Sequence, residues 1–278
     1  MELPDFITIG HRGARGLLPE NTIPSMIRAV EDGAEMLEMD IQFTGDGKVI
    51  VAHDPYVNSK FTLDKYGNEL PDKPSYFSQM PYAAIEQYDV GSKFHAGFPK
   101  QEKVKVSIPT LKNLITAVED FTTREQREPV FYTIEIKSDP KTDLTYHPEP
   151  EQLVAQVAAV LEKLKVADRC CLQSFDVRQI QEVRRSFPEI SIAYLTADGS
   201  KSLAEHLMLA DCHPDIFSPA FKILTPGLVA QAQEHGMKVI PWTVNKRKDM
   251  EYLLSINVDG IITDYPGRLT QILKQGLQ

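Results

Sequence analysis

Cysteine is scarce in this chain: three among 278 residues, two of them the adjacent pair Cys170-Cys171. Three thiols cannot frame a disulfide-stapled secreted domain, and Cys212 has no partner at ligand spacing. The reading is therefore reduced, packed side chains and no cysteine metal site. Positive charge is also short, with 30 Lys and Arg against 39 Asp and Glu, a formal charge of −9. That excludes a general nucleic-acid binder, which shows a basic excess or a basic stripe. No uninterrupted apolar run reaches the ~18 residues of a membrane-spanning helix. The opening residues, Met1-Glu2-Leu3-Pro4-Asp5, offer neither a basic stretch nor a long apolar one, so no signal peptide is visible. This places the chain in the cytoplasm, or in the periplasm or outside the cell if a leader has been trimmed. The glycines at 10, 13 and 16 lack the Lys-Ser/Thr ending of a P-loop and are not a dinucleotide fingerprint; they read as a tight exit from a strand.

What is present is ordinary globular material, 42% hydrophobic and 25% charged, enough for a sizeable core. A β-branched run ending in polar residues, followed by an amphipathic helical stretch, repeats along the chain. Strands are expected at 6–10, 36–43, 130–137, 170–174, 191–196, 215–218, 239–244 and 260–264, with a short hairpin strand at 49–53 after the Asp46-Gly47 turn. Helical patterns cover 21–32, 111–121, 151–164, 177–187, 200–210, 226–235, 248–254 and 269–274. Strands alternating with helices imply parallel pairing, and eight such units in this length favour a closed (β/α)8 barrel. Residues 54–108, rich in Pro, Gly, Tyr and Lys, break the rhythm. The expected organisation is one domain, 1–278, with an insertion at about 54–108.

In such barrels the C-terminal ends of the strands build the active face. There the sequence sets His11 and Arg12, Glu38 and Asp40, Glu135 and Lys137, Gln173, Trp242 and Asp264, each pair or residue at a different strand end. Glu38 and Asp40, at i and i+2, share one face of a strand, roughly 6–7 Å apart. Inside a barrel two unpaired carboxylates cost several kcal/mol each in desolvation and repel one another. Two resolutions stand open. Glu135 completes an all-oxygen set for a hard divalent cation, Mg²⁺ or Ca²⁺; or Arg12 and Lys137 neutralise the acids as a buried ion-pair network. His11 and His53 overhang the same mouth, and a pair of imidazoles titrating near neutral pH suits acid–base work. Cations beside a metal imply an anionic substrate, and the Arg12 fork suits phosphate.

The ordered set of motifs is specific. His11-Arg12-Gly13, Pro19-Glu20-Asn21-Thr22, Glu38-Met39-Asp40 and His53-Asp54 are followed by Ile108-Pro109-Thr110-Leu111, Ile134-Glu135-Ile136-Lys137 and Gln173-Ser174-Phe175. Trp242-Thr243-Val244-Asn245 and Asp259-Gly260-Ile261-Ile262-Thr263-Asp264-Tyr265-Pro266 complete it. The whole resembles glycerophosphodiester phosphodiesterases from residue 6 to about 268. The resemblance implies a TIM barrel that cleaves small-molecule glycerophosphodiesters into sn-glycerol 3-phosphate and an alcohol. It implies Glu38, Asp40 and Glu135 as ligands of Mg²⁺ or Ca²⁺, His11 and His53 as the acid/base pair, and Arg12 and Lys137 on the phosphate. Gln173 and Trp242 would contact substrate, Asn21 would support the site from behind, and the insertion would roof it. After His53-Asp54 the run Tyr56-Val57-Asn58-Ser59 stands where the family often has an Arg-Thr-Thr-like run, removing a basic contact near the leaving group. Arg15 reads as a solvated loop residue. Two alternatives remain: a lysophospholipase-D-like activity fed by the aromatics of the insertion, and a non-catalytic phosphate binder on the same barrel. Headgroup and oligomeric state are not written in the sequence.

Overall fold

The computed structural model describes residues 1–276. Its strands are β1 (Ile7–Gly10), β2 (Met36–Phe43), β3 (Val49–Val51), β4 (Phe131–Ile136), β5 (Cys170–Ser174), β6 (Ser191–Thr196), β7 (Ile216–Pro219), β8 (Lys238–Val239) and β9 (Gly260–Thr263). Eight of them run parallel in the order β8-β7-β6-β5-β4-β2-β1-β9, and β3 adds antiparallel to β2. The remaining seam, between β8 and β9, is bridged by Asp259 N–H to Val239 O at 2.9 Å, Ile262 N–H to Pro241 O at 3.0 Å and Val244 N–H to Ile262 O at 2.9 Å. The result is a nearly closed (β/α)8 barrel, as the alternating pattern predicts.

The helices are α1 (Ile23–Glu31), α2 (Tyr82–Ile85), α3 (Leu111–Arg124), α4 (Pro150–Leu164), α5 (Val177–Ser186), α6 (Leu203–Ala210), α7 (Pro226–Glu234), α8 (Arg247–Ser255) and α9 (Pro266–Gln275). Several begin where local chemistry dictates: Thr22, Thr110, Asp176, Ser202 and Thr225 each accept an otherwise orphaned backbone N–H of the first turn. Proline opens α4, α7 and α9, so α9 starts three residues earlier than its apolar spacing alone suggests.

The pleat of β2 sorts its side chains. Leu37, Met39 and Ile41 belong to the large core under the helices, whereas Met36 joins Ile7, Ile9, Cys171, Ala193, Ile216, Ile240 and Ile262 in the barrel interior. Glu38 and Asp40 follow Met36 on that inward face, so an apolar floor lies beneath the polar mouth. Register completes the layer: Asp40 is paired with Glu135, and Glu135 with Gln173. The expected strand at 239–244 shrinks to two residues, and Trp242 lies beyond it. Pro241 has no N–H to give the ladder, although Ile240 N–H to Phe217 O at 3.0 Å and Trp242 N–H to Pro219 O at 3.2 Å still hold this segment against β7.

Between β3 and α3 the chain makes its excursion. Ile50, Val57, Phe77, Ile85, Val90 and Ile108 form a small apolar cluster of their own. The excursion is stitched to the barrel mouth by Gln101, whose amide donates to Arg15 O at 2.8 Å and Leu18 O at 2.9 Å. On the other side Tyr76 stacks on Tyr146 with centroids 4.2 Å apart, and Ser78 Oγ donates to Thr145 O at 3.0 Å.

The exit from β1 is the tightest turn near the mouth. Arg12 has φ 50° and Gly13 φ 83°. A Cβ on Gly13 would lie 2.5 Å from the carbonyl carbon of Ser25 in α1. Gly13→Ala is expected to lower stability by about 2–4 kcal/mol through overpacking and a forced left-handed backbone. Chemical denaturation checks this; a midpoint equal to that of the parent protein refutes it.

Candidate active site

Three carboxylates converge at the top of β2 and β4. Glu38, Asp40 and Glu135 are buried, and each offers an oxygen within 4.8 Å of the others. Two cations answer them. Lys137 Nζ lies 2.6 Å from Glu135 Oε1 and 3.0 Å from Asp40 Oδ1, and Arg12 Nε lies 3.0 Å from Asp40 Oδ2. Both resolutions open at the sequence level are therefore physically present: an ion-pair network exists, but it is one charge short. Glu38 receives only neutral donors, the Arg12 backbone N–H at 2.8 Å and the Gln173 amide at 3.2 Å. The Oδ1 of Asp40, buried, has no hydrogen bond of good geometry. An oxygen set of this kind fits a hard divalent ion.

Titration follows from the same geometry. Burial drives the Glu38 pKa well above the usual carboxylate value, and its neighbours Asp40 and Glu135 add to this. Glu135 is pushed up to about 7 by burial and by Asp40, against the pull of Lys137. Asp40 resists burial because Arg12 and Lys137 hold it below the normal range. Both cations are raised in turn, the acids outweighing the desolvation that burial imposes.

The cluster is held from behind. Asn21, in a left-handed conformation at φ 58°, donates from Nδ2 to Asp40 Oδ2 at 2.9 Å and accepts the Asp40 backbone N–H on Oδ1 at 3.2 Å. Arg12 also donates to Glu20 Oε1 at 2.8 Å, and Arg15 Nε lies 2.9 Å from the other oxygen of the same carboxylate. Arg15 is thus no solvated residue: it is ion-paired and its guanidinium lies 4.6 Å above the Phe98 ring. The sequence reading missed this because an irregular loop has no period to bring Glu20 onto Arg15, and Phe98 lies far along the chain.

Each histidine is held at Nδ1 by an aspartate. His11 Nδ1 lies 2.7 Å from Asp264 Oδ1 and His53 Nδ1 lies 3.0 Å from Asp54 Oδ1. Asp264 is fixed by the Asn245 amide at 2.6 Å, and Asp54 by the Asn58 amide at 2.7 Å. Such contacts set the tautomer and leave Nε2 of each ring without a hydrogen bond among the described residues, that of His11 lying 3.9 Å from Glu38 Oε2. Burial pushes the His11 pKa below the ordinary histidine value against the pull of Asp264, so this ring is neutral at pH 7. Asp54 had a visible signal, its adjacency to His53. Asn245 and Asn58 had none beyond their motifs or loop.

Eight of the ten candidate residues line one cavity of about 290 Å³: His11, Arg12, Glu38, His53, Glu135, Lys137, Gln173 and Trp242. Asp40 and Asn21 lie behind it, one carboxylate deep. Trp242 donates from Nε1 to Ser218 O at 2.9 Å and meets Phe175 edge-on with centroids 5.4 Å apart, giving the cleft one aromatic wall. A second cavity of about 550 Å³ continues from the first, sharing Arg12, Arg15 and His53 and reaching Lys60, Phe61 and Phe94 of the excursion.

Residues 11–268 match the glycerophosphoryl diester phosphodiesterase family. A glycerophosphodiester phosphodiesterase of Caldanaerobacter subterraneus subsp. tengcongensis is 29% identical over 97% of this chain and 98% of its own length. A solved Silicibacter pomeroyi structure, provisionally given the same family name, superposes with TM-score 0.87 and 31% identity over 98% of this chain and 95% of its own. An Oleispira antarctica phosphodiesterase solved with its product sn-glycerol-3-phosphate shares the fold at TM-score 0.78 and 23% identity, over 98% and 97% of the two chains.

Because Glu38 is the acid left without a cation, removing its charge relieves repulsion in the metal-free protein. Glu38→Gln, which keeps an acceptor for the Arg12 backbone N–H and can donate to the Gln173 amide oxygen once that amide flips, is expected to raise metal-free stability by about 1 kcal/mol. It should also abolish the thermal stabilisation expected of the parent chain on adding Mg²⁺ or Ca²⁺. Thermal melts with chelator and with metal check both, and a lower metal-free melting temperature contradicts the charge argument.

Proposed function

The chain belongs to the glycerophosphoryl diester phosphodiesterase family and is an enzyme of that kind, and from this premise we propose how its own residues work. It hydrolyses glycerophosphodiesters to sn-glycerol 3-phosphate and an alcohol, using one divalent cation, Mg²⁺ or Ca²⁺. The single observation that carries the reading is the pair of aspartate-held histidines facing one cleft with a cation-deficient carboxylate cluster. The relative solved with sn-glycerol-3-phosphate supports the product side of this proposal. The whole chain acts as one catalytic domain, with the excursion at about 54–108 as an insertion in it.

Glu38, Asp40 and Glu135 would hold the ion, which when bound would supply positive charge against the phosphate. Lys137 and Arg12 draw the anionic phosphate to the mouth and oppose the charge that builds on its oxygens during displacement. His11, neutral through burial, removes a proton at Nε2 from the attacking hydroxyl, whether that belongs to water or to the substrate's own glycerol. Asp264 stabilises the imidazolium that results and keeps the ring aimed. His53, with Asp54 at its back, delivers a proton to the departing alcohol oxygen. Gln173 and Asn21 keep Glu38 and Asp40 in place, and Trp242 packs against the glycerol side.

The test is release of sn-glycerol 3-phosphate from a panel of glycerophosphodiesters, followed by ³¹P NMR with and without metal. His11→Ala and His53→Ala are each expected to reduce kcat by about 10²–10⁴ with the fold intact. Chelation should remove activity and added Mg²⁺ or Ca²⁺ restore it. Variants that keep parental rates overturn the assigned roles, and a cyclic phosphate trapped in the time course would identify the substrate hydroxyl as the nucleophile.

A further inference from the structure

Resting on the phosphodiesterase reading, we propose that the enzyme selects diesters whose leaving alcohol itself carries negative charge, and that Lys60 is the residue that reads this charge. His53 forms the wall between the catalytic cleft and the second cavity. An alcohol that departs across His53 therefore lies in the second cavity, and its walls set the choice of substrate.

Those walls hold three cations, Arg12, Arg15 and Lys60, against two carboxylates, Glu20 and Asp54. Neither carboxylate is available to a ligand. Glu20 is held between Arg12 and Arg15, with one oxygen on each at 2.8 and 2.9 Å. Asp54 is consumed by His53 at 3.0 Å and Asn58 at 2.7 Å. Lys60 is exposed and has no ion-pair partner among the described residues. Its backbone is anchored, N–H to Asn58 Oδ1 at 3.0 Å, by the same asparagine that fixes Asp54. The cavity thus keeps one uncompensated ammonium.

A quaternary ammonium headgroup needs either a free carboxylate or an open aromatic face. Of the rings lining the cavity, Phe61 stacks on His95 with centroids 5.3 Å apart, and Phe94 already has the Lys103 ammonium 5.9 Å from its centroid. Burial lowers the His95 pKa, so that ring adds no positive charge of its own at neutral pH. A choline-type alcohol meets the unpaired Lys60 ammonium and no free carboxylate. An alcohol bearing a second phosphodiester meets Lys60 unpaired.

The experiment compares kcat/KM for three diesters with metal present: glycerophosphocholine, glycerophosphoglycerol and bis(glycerophospho)glycerol, whose leaving alcohol retains an anionic phosphodiester. The parent enzyme is expected to prefer the last over the first by about tenfold, a preference that shrinks with added salt. Lys60→Glu should lower kcat/KM for bis(glycerophospho)glycerol by about tenfold, raise it for glycerophosphocholine, and change glycerophosphoglycerol by less than about twofold. Lys60→Ala should fall between. Glycerophosphocholine turned over as fast as the anionic diester, or one common factor across all three substrates in Lys60→Glu, overturns the selectivity while leaving the phosphodiesterase reading standing. Turnover of none of the three overturns both.

Discussion

Three carboxylates packed into the mouth of an otherwise apolar barrel are the constraint from which the rest of this structure follows. Glu38, Asp40 and Glu135 stand on a floor of Ile7, Ile9, Met36 and Ile262, where burial weakens the screening that water gives at a surface. Everything around them manages that charge. Arg12 is bent into a left-handed turn that brings both its backbone N–H and its guanidinium to the cluster. Asn21 adopts the same unusual conformation to serve Asp40 twice. Such strained positions persist where surrounding packing over-determines them, and here Gly13 and Ser25 supply that packing. The unmet charge on Glu38 is a stored electrostatic demand, and the three-carboxylate set is of the kind that could hold a divalent ion.

The two histidines show how one chemistry is mounted on elements of different character. His11 follows β1, in the middle of the parallel sheet, and its aspartate follows β9 on the neighbouring strand. His53 follows β3, an appended antiparallel strand, and its aspartate is the next residue in the chain. One ring is set by barrel packing and is mostly enclosed; the other is set by a local contact and is about a third exposed. The same aspartate-at-Nδ1 contact therefore leaves the two rings in different surroundings, one enclosed and one open to water.

Much of this was legible in the sequence because it depends on short periods. Alternation placed Glu38 and Asp40 on one face, strand–helix alternation set the barrel, and polar residues at strand ends marked the mouth. What the sequence did not disclose depends on closure. Asp264 was visible as a polar strand end, but its pairing with His11 spans nearly the whole chain and exists only because β9 meets β1. Arg15 looked like a loop residue because its spacing from Glu20 does not reveal how the loop turns back on itself, and Phe98 reaches it only after the excursion folds over the mouth. Trp242 was assigned to a strand on apolar pattern, and Pro241 ended that strand before it without moving the indole from the cleft.

The ends of the excursion lie side by side: Val51 N–H donates to Pro109 O at 3.0 Å, and Ile50 bridges antiparallel to Thr110. The barrel has therefore already closed this loop by its own backbone, so a longer or shorter excursion adds little further closure entropy. Its small apolar cluster likewise draws on Ile50 alone from the adjoining strand β3. Such an arrangement behaves as a cassette. The carboxylate cluster is set by β2 and β4 of the barrel, while the wall that the excursion adds to the neighbouring cavity can be rebuilt between two fixed splice points. The contents of that cavity can then change with every strand left as it is.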